Sequence, residues 1–163
     1  LGAAYLCAKE VVGVDIDRLA IKTACENAAK AGLTGTVQWI NGDVGAVVGK
    51  FDTVLQNPPF GVQTREADRA FLVKALEVGS SIYSLHNHPE IDQSLIKLLK
   101  SSQGFVQVQP SPFLERFIVK HGGKVKAVYA MLMTIPKIFD FHRKLKHDFV
   151  IDLYIINNWH WLH

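Results

Sequence analysis

The residues best suited to chemistry are Asn57, Pro58, Pro59 and Phe60, which directly follow the apolar run Phe51–Gln56. Such a run is typical of a buried strand, and open α/β sheets bind their ligands in loops at the carboxyl ends of strands. The two prolines restrict their own φ angles and lack an N–H group. The result is a stiff turn that offers carbonyl oxygens, one carboxamide and one aromatic ring.

These groups could hold a planar amine such as the exocyclic nitrogen of adenine. That nitrogen is a poor nucleophile because its lone pair is delocalised into the ring. The side-chain oxygen of Asn57 and the carbonyl of Pro58 could accept its two hydrogens and draw it toward tetrahedral geometry, while Phe60 stacks on the base. The rate enhancement would then come mainly from positioning this amine beside a methyl donor. The alternative is a proline-rich turn that only ends a strand. Asn-Pro-Pro-Phe directly after a buried strand favours a functional role over this structural one.

An aspartate ends the earlier apolar run 11–14 and precedes a predicted helix. A carboxylate at this position, Asp15, can accept both hydroxyls of a ribose. Its alternative role is to cap the turn. Asp17 already suits the N-cap of that helix, so the ribose-binding interpretation of Asp15 is favoured.

A second aspartate, Asp43, follows the next predicted strand. It could accept the amino group of a cofactor adenine that lies between Ile16 and Val44. Gly-Asp turns are common, so Asp43 carries weight only in register with Asp15 and Asn57.

Two polar residues, Ser84 and His86, end a further predicted strand, 82–86. They could line the pocket for the target base, or they could be ordinary polar groups at a strand end, and the two interpretations are equally good. His86 and His88 flank an asparagine and lack further ligands, so no metal site is expected.

A basic loop lies between the last two predicted strands. Cations interleaved with aromatic rings suit binding of single-stranded nucleic acid through its backbone and through stacking. The alternative is a solvated hairpin tip. The position of the loop at an end of the sheet favours nucleic-acid binding. The residues of this predicted interface are Lys137, Phe139, Phe141, His142, Arg143, Lys144, Lys146 and His147.

The composition is that of a globular protein, with 163 residues, 48% hydrophobic and 20% charged residues and a net charge of +3. We expect one domain, residues 1–156, followed by a tail, 157–163. No apolar run reaches the roughly 18 residues of a membrane span, so no membrane partner is expected. Cys7 and Cys25 lack metal or redox spacing and indicate free, buried thiols of a reducing, cytoplasmic compartment.

Strands alternate with helices along the chain. This order predicts an α/β fold with a doubly wound, mostly parallel twisted sheet. The last two strands, joined by the basic loop, predict an antiparallel hairpin at one edge. The predicted strands are 11–14, 36–41, 51–56, 82–86, 124–134 and 149–156. Of the main predicted helices, two begin after Asp17 and Thr64, and two cover 89–101 and 112–121.

Several motifs occur in an order that resembles the methyltransferase-like protein 5 family and its archaeal relatives, from about residue 1 to 156. Asn-Pro-Pro-Phe is similar to motif IV of many amino-methyltransferases that use S-adenosylmethionine. Tyr-Ser-Leu-His and Phe-His-Arg-Lys before a Val-Ile-Asp-Leu strand are more specific to the family. The matching segments are 15–17, 51–54, 57–61, 70–72, 83–86, 141–144 and 150–153.

The resemblance implies a seven-stranded, Rossmann-like class I methyltransferase. It implies transfer of a methyl group from S-adenosylmethionine to the exocyclic amine of one adenine in small-subunit rRNA. It also implies a small zinc-binding activator protein that adds to the sheet edge at residues 36–41. Exposed Val37 and Trp39 side chains on that edge would favour such a cover.

One departure from the family concerns the N-terminal end. The family carries a glycine-rich loop after its first strand, ahead of the segment that Leu1 matches. Loss of that central strand would split the sheet, and loss of the loop would remove the support for the methionine end of the cofactor. We therefore expect the sequence to be an N-terminally truncated part of a longer protein.

Two alternatives stay open. One is methylation of a release-factor glutamine or a DNA base, because those enzymes share Asn-Pro-Pro; Phe60 and the basic loop argue against glutamine, whose enzymes usually have Tyr in the fourth place. The other is a non-catalytic RNA-binding module that lacks the cofactor.

Overall fold

The structure is a computed structural model. It describes residues 1–59, 67–90, 93–102, 104–136 and 146–159. The chain divides into two compact units, Leu1–Gly49 and Lys50–His163. Each unit contains its own sheet, with two strands in the first and five in the second.

The first unit is built on two parallel strands, in which Val11 lies opposite Val37 and Asp15 opposite Asn41. Helix α2 begins after Asp17, whose carboxylate accepts the Leu19 N–H, so the predicted N-cap is confirmed. The elements of this unit are α1 (Gly2–Tyr5), β1 (Val11–Asp15), α2 (Arg18–Lys30), β2 (Val37–Asn41) and a 3₁₀ turn (Val44–Ala46).

The apolar side chains of β2 pack differently from the expectation. Val37 is buried, with 6% of its surface exposed, and Trp39 is half-buried. The Trp39 ring lies against Gly13, where an added Cβ would come within 2.4 Å of a ring carbon. Val37 therefore offers no exposed surface and Trp39 only part of its surface, because the Trp39 ring packs on β1.

The expectation of buried thiols was also wrong. Cys7 and Cys25 are free, as predicted, but both are exposed. Cys25 lies on the outer part of α2, where Ala28 is buried and Ala24 half-buried. Cys25 therefore lies outside the buried face of this helix.

The second unit has a mixed sheet in the order β3-β4-β7-β6-β5. Strands β3 and β4 are parallel, and the other neighbouring pairs are antiparallel. Its elements are β3 (Phe51–Gln56), α3 (Ala67–Val78), β4 (Gly79–Asn87), α4 (Gln93–Ser101), β5 (Phe105–Val108), α5 (Pro112–Lys120), β6 (Gly123–Pro136) and β7 (Lys146–Asn158).

The predicted antiparallel hairpin is present as β6 and β7. It lies within the sheet, because the short strand β5, which the sequence did not predict, pairs with β6 and forms the edge. Strand β7 also continues through the first two residues of the predicted tail. Asn158 is buried and its amide donates to the carbonyls of Leu76 and Gly79, which holds the junction of α3 and β4.

The core of the second unit lies between the sheet and its helices. The larger cluster joins α3 and α5 to β4, β6 and β7, and a smaller one joins α4 to β6 and β7. Among the described residues, no helix is long and apolar enough to cross a membrane. The buried members are Leu72, Ala75, Leu76, Ile82, Ile118, Val128, Tyr154 and Ile156, with Leu99, Ala130 and Val150 in the smaller cluster.

Candidate functional site

In the first unit, Asp15 ends β1 and Asp43 follows β2, so both lie at the carboxyl end of the same pair of parallel strands. The Oδ1 atom of Asp15 accepts the Asp17 N–H at 2.8 Å, and that of Asp43 accepts the Gly45 N–H at 2.7 Å. Both residues are exposed. Each carboxylate thus caps a turn through one oxygen. Its second oxygen has no hydrogen bond to a described residue.

Asn41 is a site residue that sequence reasoning missed. Its side-chain Nδ2 donates to the carbonyls of Asp15 at 3.1 Å and Ile16 at 3.0 Å. The Gly42 N–H also donates to the Asp15 carbonyl at 3.0 Å. The end of β2 therefore fixes the backbone of the turn that presents Asp15. The available signal was an amide side chain at the last position of a strand, immediately before a Gly-Asp turn.

Two apolar side chains accompany these aspartates. Ile16 has 73% of its surface exposed, and Val44 is half-buried. An exposed branched side chain beside a carboxylate offers apolar surface to a flat ring.

In the second unit, Asn57 and its prolines follow β3 directly. Asn57 and Pro59 are exposed, whereas Pro58 is fully buried. The side chain of Asn57 has no hydrogen bond to any described residue. The loop is thus anchored by one proline while it presents an exposed carboxamide. Phe60, the fourth residue of the motif, lies outside the described residues.

Ser84 and His86 are both buried, with 0% and 4% of their surface exposed. Ser84 lies opposite Gln56 in the parallel ladder, and Gln56 Nε2 donates to its Oγ at 2.9 Å. The same Oγ lies 2.8 Å from Nε2 of His86. The sequence allowed Ser84 and His86 either to line a base pocket or to be ordinary polar groups at a strand end. In the structure both side chains lie inside the unit, in a hydrogen-bonded chain.

A second buried polar pair lies beside this chain. His88 Nδ1 is 2.8 Å from Oδ1 of Asp152, a residue of β7 that is 1% exposed. Burial raises the pKa of the Asp152 carboxyl, and the hydrogen bond and charge of His88 oppose this. The Tyr154 hydroxyl accepts the Ser111 N–H at 2.8 Å, and its pKa is raised by burial.

The predicted nucleic-acid contacts Phe141, His142, Arg143 and Lys144 lie outside the described residues.

Comparison with known proteins identifies the family. Residues 3–76 match the family model UPF0020, described as "RMKL-like, methyltransferase domain". A crystal structure from Pyrococcus horikoshii, titled as a proposed RNA methyltransferase, is 32% identical, with a TM-score of 0.72 over 96% of this chain and 67% of that chain. The chain belongs to the same methyltransferase family as this archaeal protein. The resemblance found in the motifs and the Rossmann-like fold are thereby confirmed.

Two curated members of this methyltransferase family give the range of similarity. An uncharacterized protein of Methanocaldococcus jannaschii is 35% identical over 88% of this chain and 61% of its own length. The rRNA N(6)-adenosine-methyltransferase METTL5 of Danio rerio is 27% identical over 93% of this chain and 66% of its own length. The chain thus spans somewhat less than two thirds of the length of these relatives.

Proposed function

We propose that this protein transfers the methyl group of S-adenosylmethionine to the exocyclic amine of an adenine in small-subunit rRNA. The observation that carries the proposal is the Asn57 carboxamide, which is exposed and unpaired among the described residues while its neighbour Pro58 is buried. The relative from Danio rerio named as an rRNA N(6)-adenosine-methyltransferase supports this choice of substrate.

The first unit suits the nucleoside half of S-adenosylmethionine. Asp15 and Asp43 are exposed and each retains one carboxylate oxygen that is free of described partners, which fits acceptors for ribose hydroxyls and for an adenine amine. Ile16 and Val44 would flank the adenine ring. When bound, the cofactor supplies an activated methyl group on a positively charged sulfur.

The second unit suits the target amine. Asn57 Oδ1 and the Pro58 carbonyl would each accept one hydrogen of the exocyclic nitrogen, which localises its lone pair. Phe60 would stack on a base that has left its helix, and Pro59 would keep the turn rigid. The basic loop with Phe141, Arg143 and Lys144 would bind the RNA backbone.

The edge of β2 is the proposed binding site for a small zinc-binding activator protein. Within the two-stranded sheet, β2 pairs with β1 only, and Gln38 and Ile40 of β2 are exposed. An added strand would satisfy the free backbone groups. We expect Ile40→Glu to reduce co-purification of the activator and Lys22→Glu, on exposed α2, to leave it unchanged. Equal recovery with both variants would exclude this edge.

The test of the activity is Asn57→Ala with rRNA, DNA and release factor as methyl acceptors. We expect transfer to rRNA to fall about 100-fold or more, because the acceptor that aligns the amine is lost. Calorimetry should show cofactor binding close to that of the wild type. Gln107→Ala, which removes a carboxamide from an exposed position of β5, is the matched control and should retain full activity.

Other results would contradict the proposal. A wild-type rate for Asn57→Ala would remove Asn57 from the mechanism. Preferential methylation of release factor or DNA would show that rRNA is not the substrate. A folded wild-type chain that binds RNA but does not bind S-adenosylmethionine would favour a non-catalytic RNA-binding module.

A further inference from the structure

Backbone hydrogen bonds between β3 and β4 stop just before the loop that presents Asn57. The parallel ladder between β3 and β4 ends at the pair Gln56 and Ser84. Beyond it, Pro58 and Pro59 have no N–H to donate, so the ladder cannot continue through them. Side-chain contacts must therefore hold the loop that presents Asn57.

The side chain of Gln56 provides such a contact. Its Nε2 can only donate, so the Ser84 hydroxyl accepts at 2.9 Å and keeps its own hydrogen for another partner. His86 Nε2 lies 2.8 Å away and can accept that hydrogen when the ring is neutral. Successive strand residues point to opposite faces, so fixing the Gln56 side chain also fixes the direction in which Asn57 leaves the strand.

The far end of this chain is anchored in the core. The His86 ring packs edge-on against Tyr154, with the ring centroids 5.2 Å apart and the planes at 79°. Tyr154 is fully buried and its hydroxyl accepts the Ser111 N–H at the start of α5. Buried polar groups are costly unless they are paired, and here each pairs in one geometry. The contacts thus lead without a break from the residue before Asn57 to the centre of the sheet.

We infer that Gln56, Ser84 and His86 are positioning residues, whose hydrogen-bonded chain fixes the Asn57 carboxamide for the target amine. The inference deepens the proposed function and rests on it for the role of Asn57. Because Ser84 and His86 are inside the unit, they act through Gln56 and touch neither substrate nor cofactor.

The experiment compares Gln56→Leu and Ser84→Ala with Asn158→Ala in the whole chain. The control also removes a buried polar group, but from the junction of α3 and β4, and is expected to lower the melting temperature alone. Two quantities are measured besides stability: steady-state kinetics and the ¹⁵N order parameter of the Asn57 backbone amide. Gln56 is only partly buried, so Gln56→Leu should fold even if Ser84→Ala does not.

We expect kcat to fall about 10- to 100-fold in both Gln56→Leu and Ser84→Ala, with KM for S-adenosylmethionine unchanged, because the amine is misplaced rather than unbound. The Asn57 order parameter should fall from about 0.85 to below about 0.6. Asn158→Ala should change neither quantity.

The two proposals fail in different ways. An Asn57 amide that stays rigid in Gln56→Leu would overturn the positioning role, whatever the activity. Loss of rigidity together with a wild-type chain that methylates no RNA would support the positioning role and overturn only the proposed function. Equal loss of kcat in Asn158→Ala would assign the effect to general destabilisation and would also overturn the inference.

Discussion

Asp15 and Asp17 make the same local contact, since each accepts the backbone N–H two residues further along the chain at 2.8 Å. Both are exposed. Their positions differ, because Asp17 begins α2 while Asp15 ends β1, where the backbone is also held by the Asn41 amide. Capping accounts for one oxygen of each residue, and the proposed ribose contact would use the other oxygen of Asp15, at the strand end.

Substitution by asparagine separates the two roles. Asparagine keeps an acceptor for the backbone N–H, so neither Asp15→Asn nor Asp17→Asn should alter stability appreciably. Asp15→Asn loses the charged oxygen for the ribose, and we expect its affinity for S-adenosylmethionine to fall about tenfold or more, as for a charge-assisted hydrogen bond. Calorimetry measures the affinity, with Asp17→Asn as control. Equal affinities for the two variants would show that Asp15 only caps the turn.

The sequence predicts residue roles where they depend on near neighbours. The N-cap Asp17 follows from local chemistry and is observed. The burial of Ser84 and His86 could not be predicted, because it depends on β7, which pairs with β4 from about seventy residues further along the chain. A strand-end position is exposed or buried according to what covers it.

At the scale of elements, the pairing of β4 and β7 decides the polar interior of the second unit. This pairing sets His86 opposite Asp152 and brings His88 to the Asp152 carboxylate. Asp152 is 1% exposed, so burial disfavours the charged form of its carboxyl, and one histidine only partly compensates. The result is a carboxyl whose pKa is raised by folding.

The raised pKa of Asp152 predicts an unusual pH dependence of stability. Its folded-state pKa lies above the ordinary value of 3.8, so the folded state holds the proton more tightly than the unfolded chain. The stability contributed by the protonated carboxyl is complete below pH 3.8 and is lost as the pH rises through the raised pKa. Each unit by which the folded-state pKa exceeds the unfolded-state pKa corresponds to about 1.4 kcal/mol of stability.

Urea denaturation of wild type and Asp152→Asn, from below pH 3.8 to above the raised pKa, measures this pH-dependent change in stability. The neutral variant should gain stability relative to wild type as the pH rises. His88→Ala should extend the effect to higher pH, because His88 opposes the rise of the pKa. A wild type that instead gains relative stability with pH would mean that the pairing with His88 outweighs desolvation.

The elements themselves were predicted in proportion to their length and their local pattern. The long strands β6 and β7 and the helices α2 and α5 were found from sequence. Strand β5 was missed because it has four residues, and its partner segment in β6 begins twenty residues after it ends. The extension of β7 to Asn158 was missed because an asparagine pair is atypical of strands.

At the scale of the whole molecule, charge limits how RNA can be bound. The net charge of +3 is mild for 163 residues, so a diffuse positive field cannot supply strong affinity. The proposed RNA binding would then depend on a local cluster, and the sequence concentrates cations with aromatic rings between β6 and β7. Arg143 and Lys144 belong to this segment of the sequence.

The salt dependence of RNA affinity tests this concentration of charge. Each phosphate contact with a single strand contributes about −0.7 to the slope of log K against log salt. We expect the double variant Arg143→Ala/Lys144→Ala to weaken binding and to flatten the slope by about 1.4, as expected when two cations no longer bind phosphates. The control Lys97→Ala/Lys100→Ala removes two exposed cations from α4 and should leave the slope unchanged. If both double variants flatten it equally, the charge acts diffusely and the loop has no special role, since bulk charge alone cannot distinguish the two surfaces.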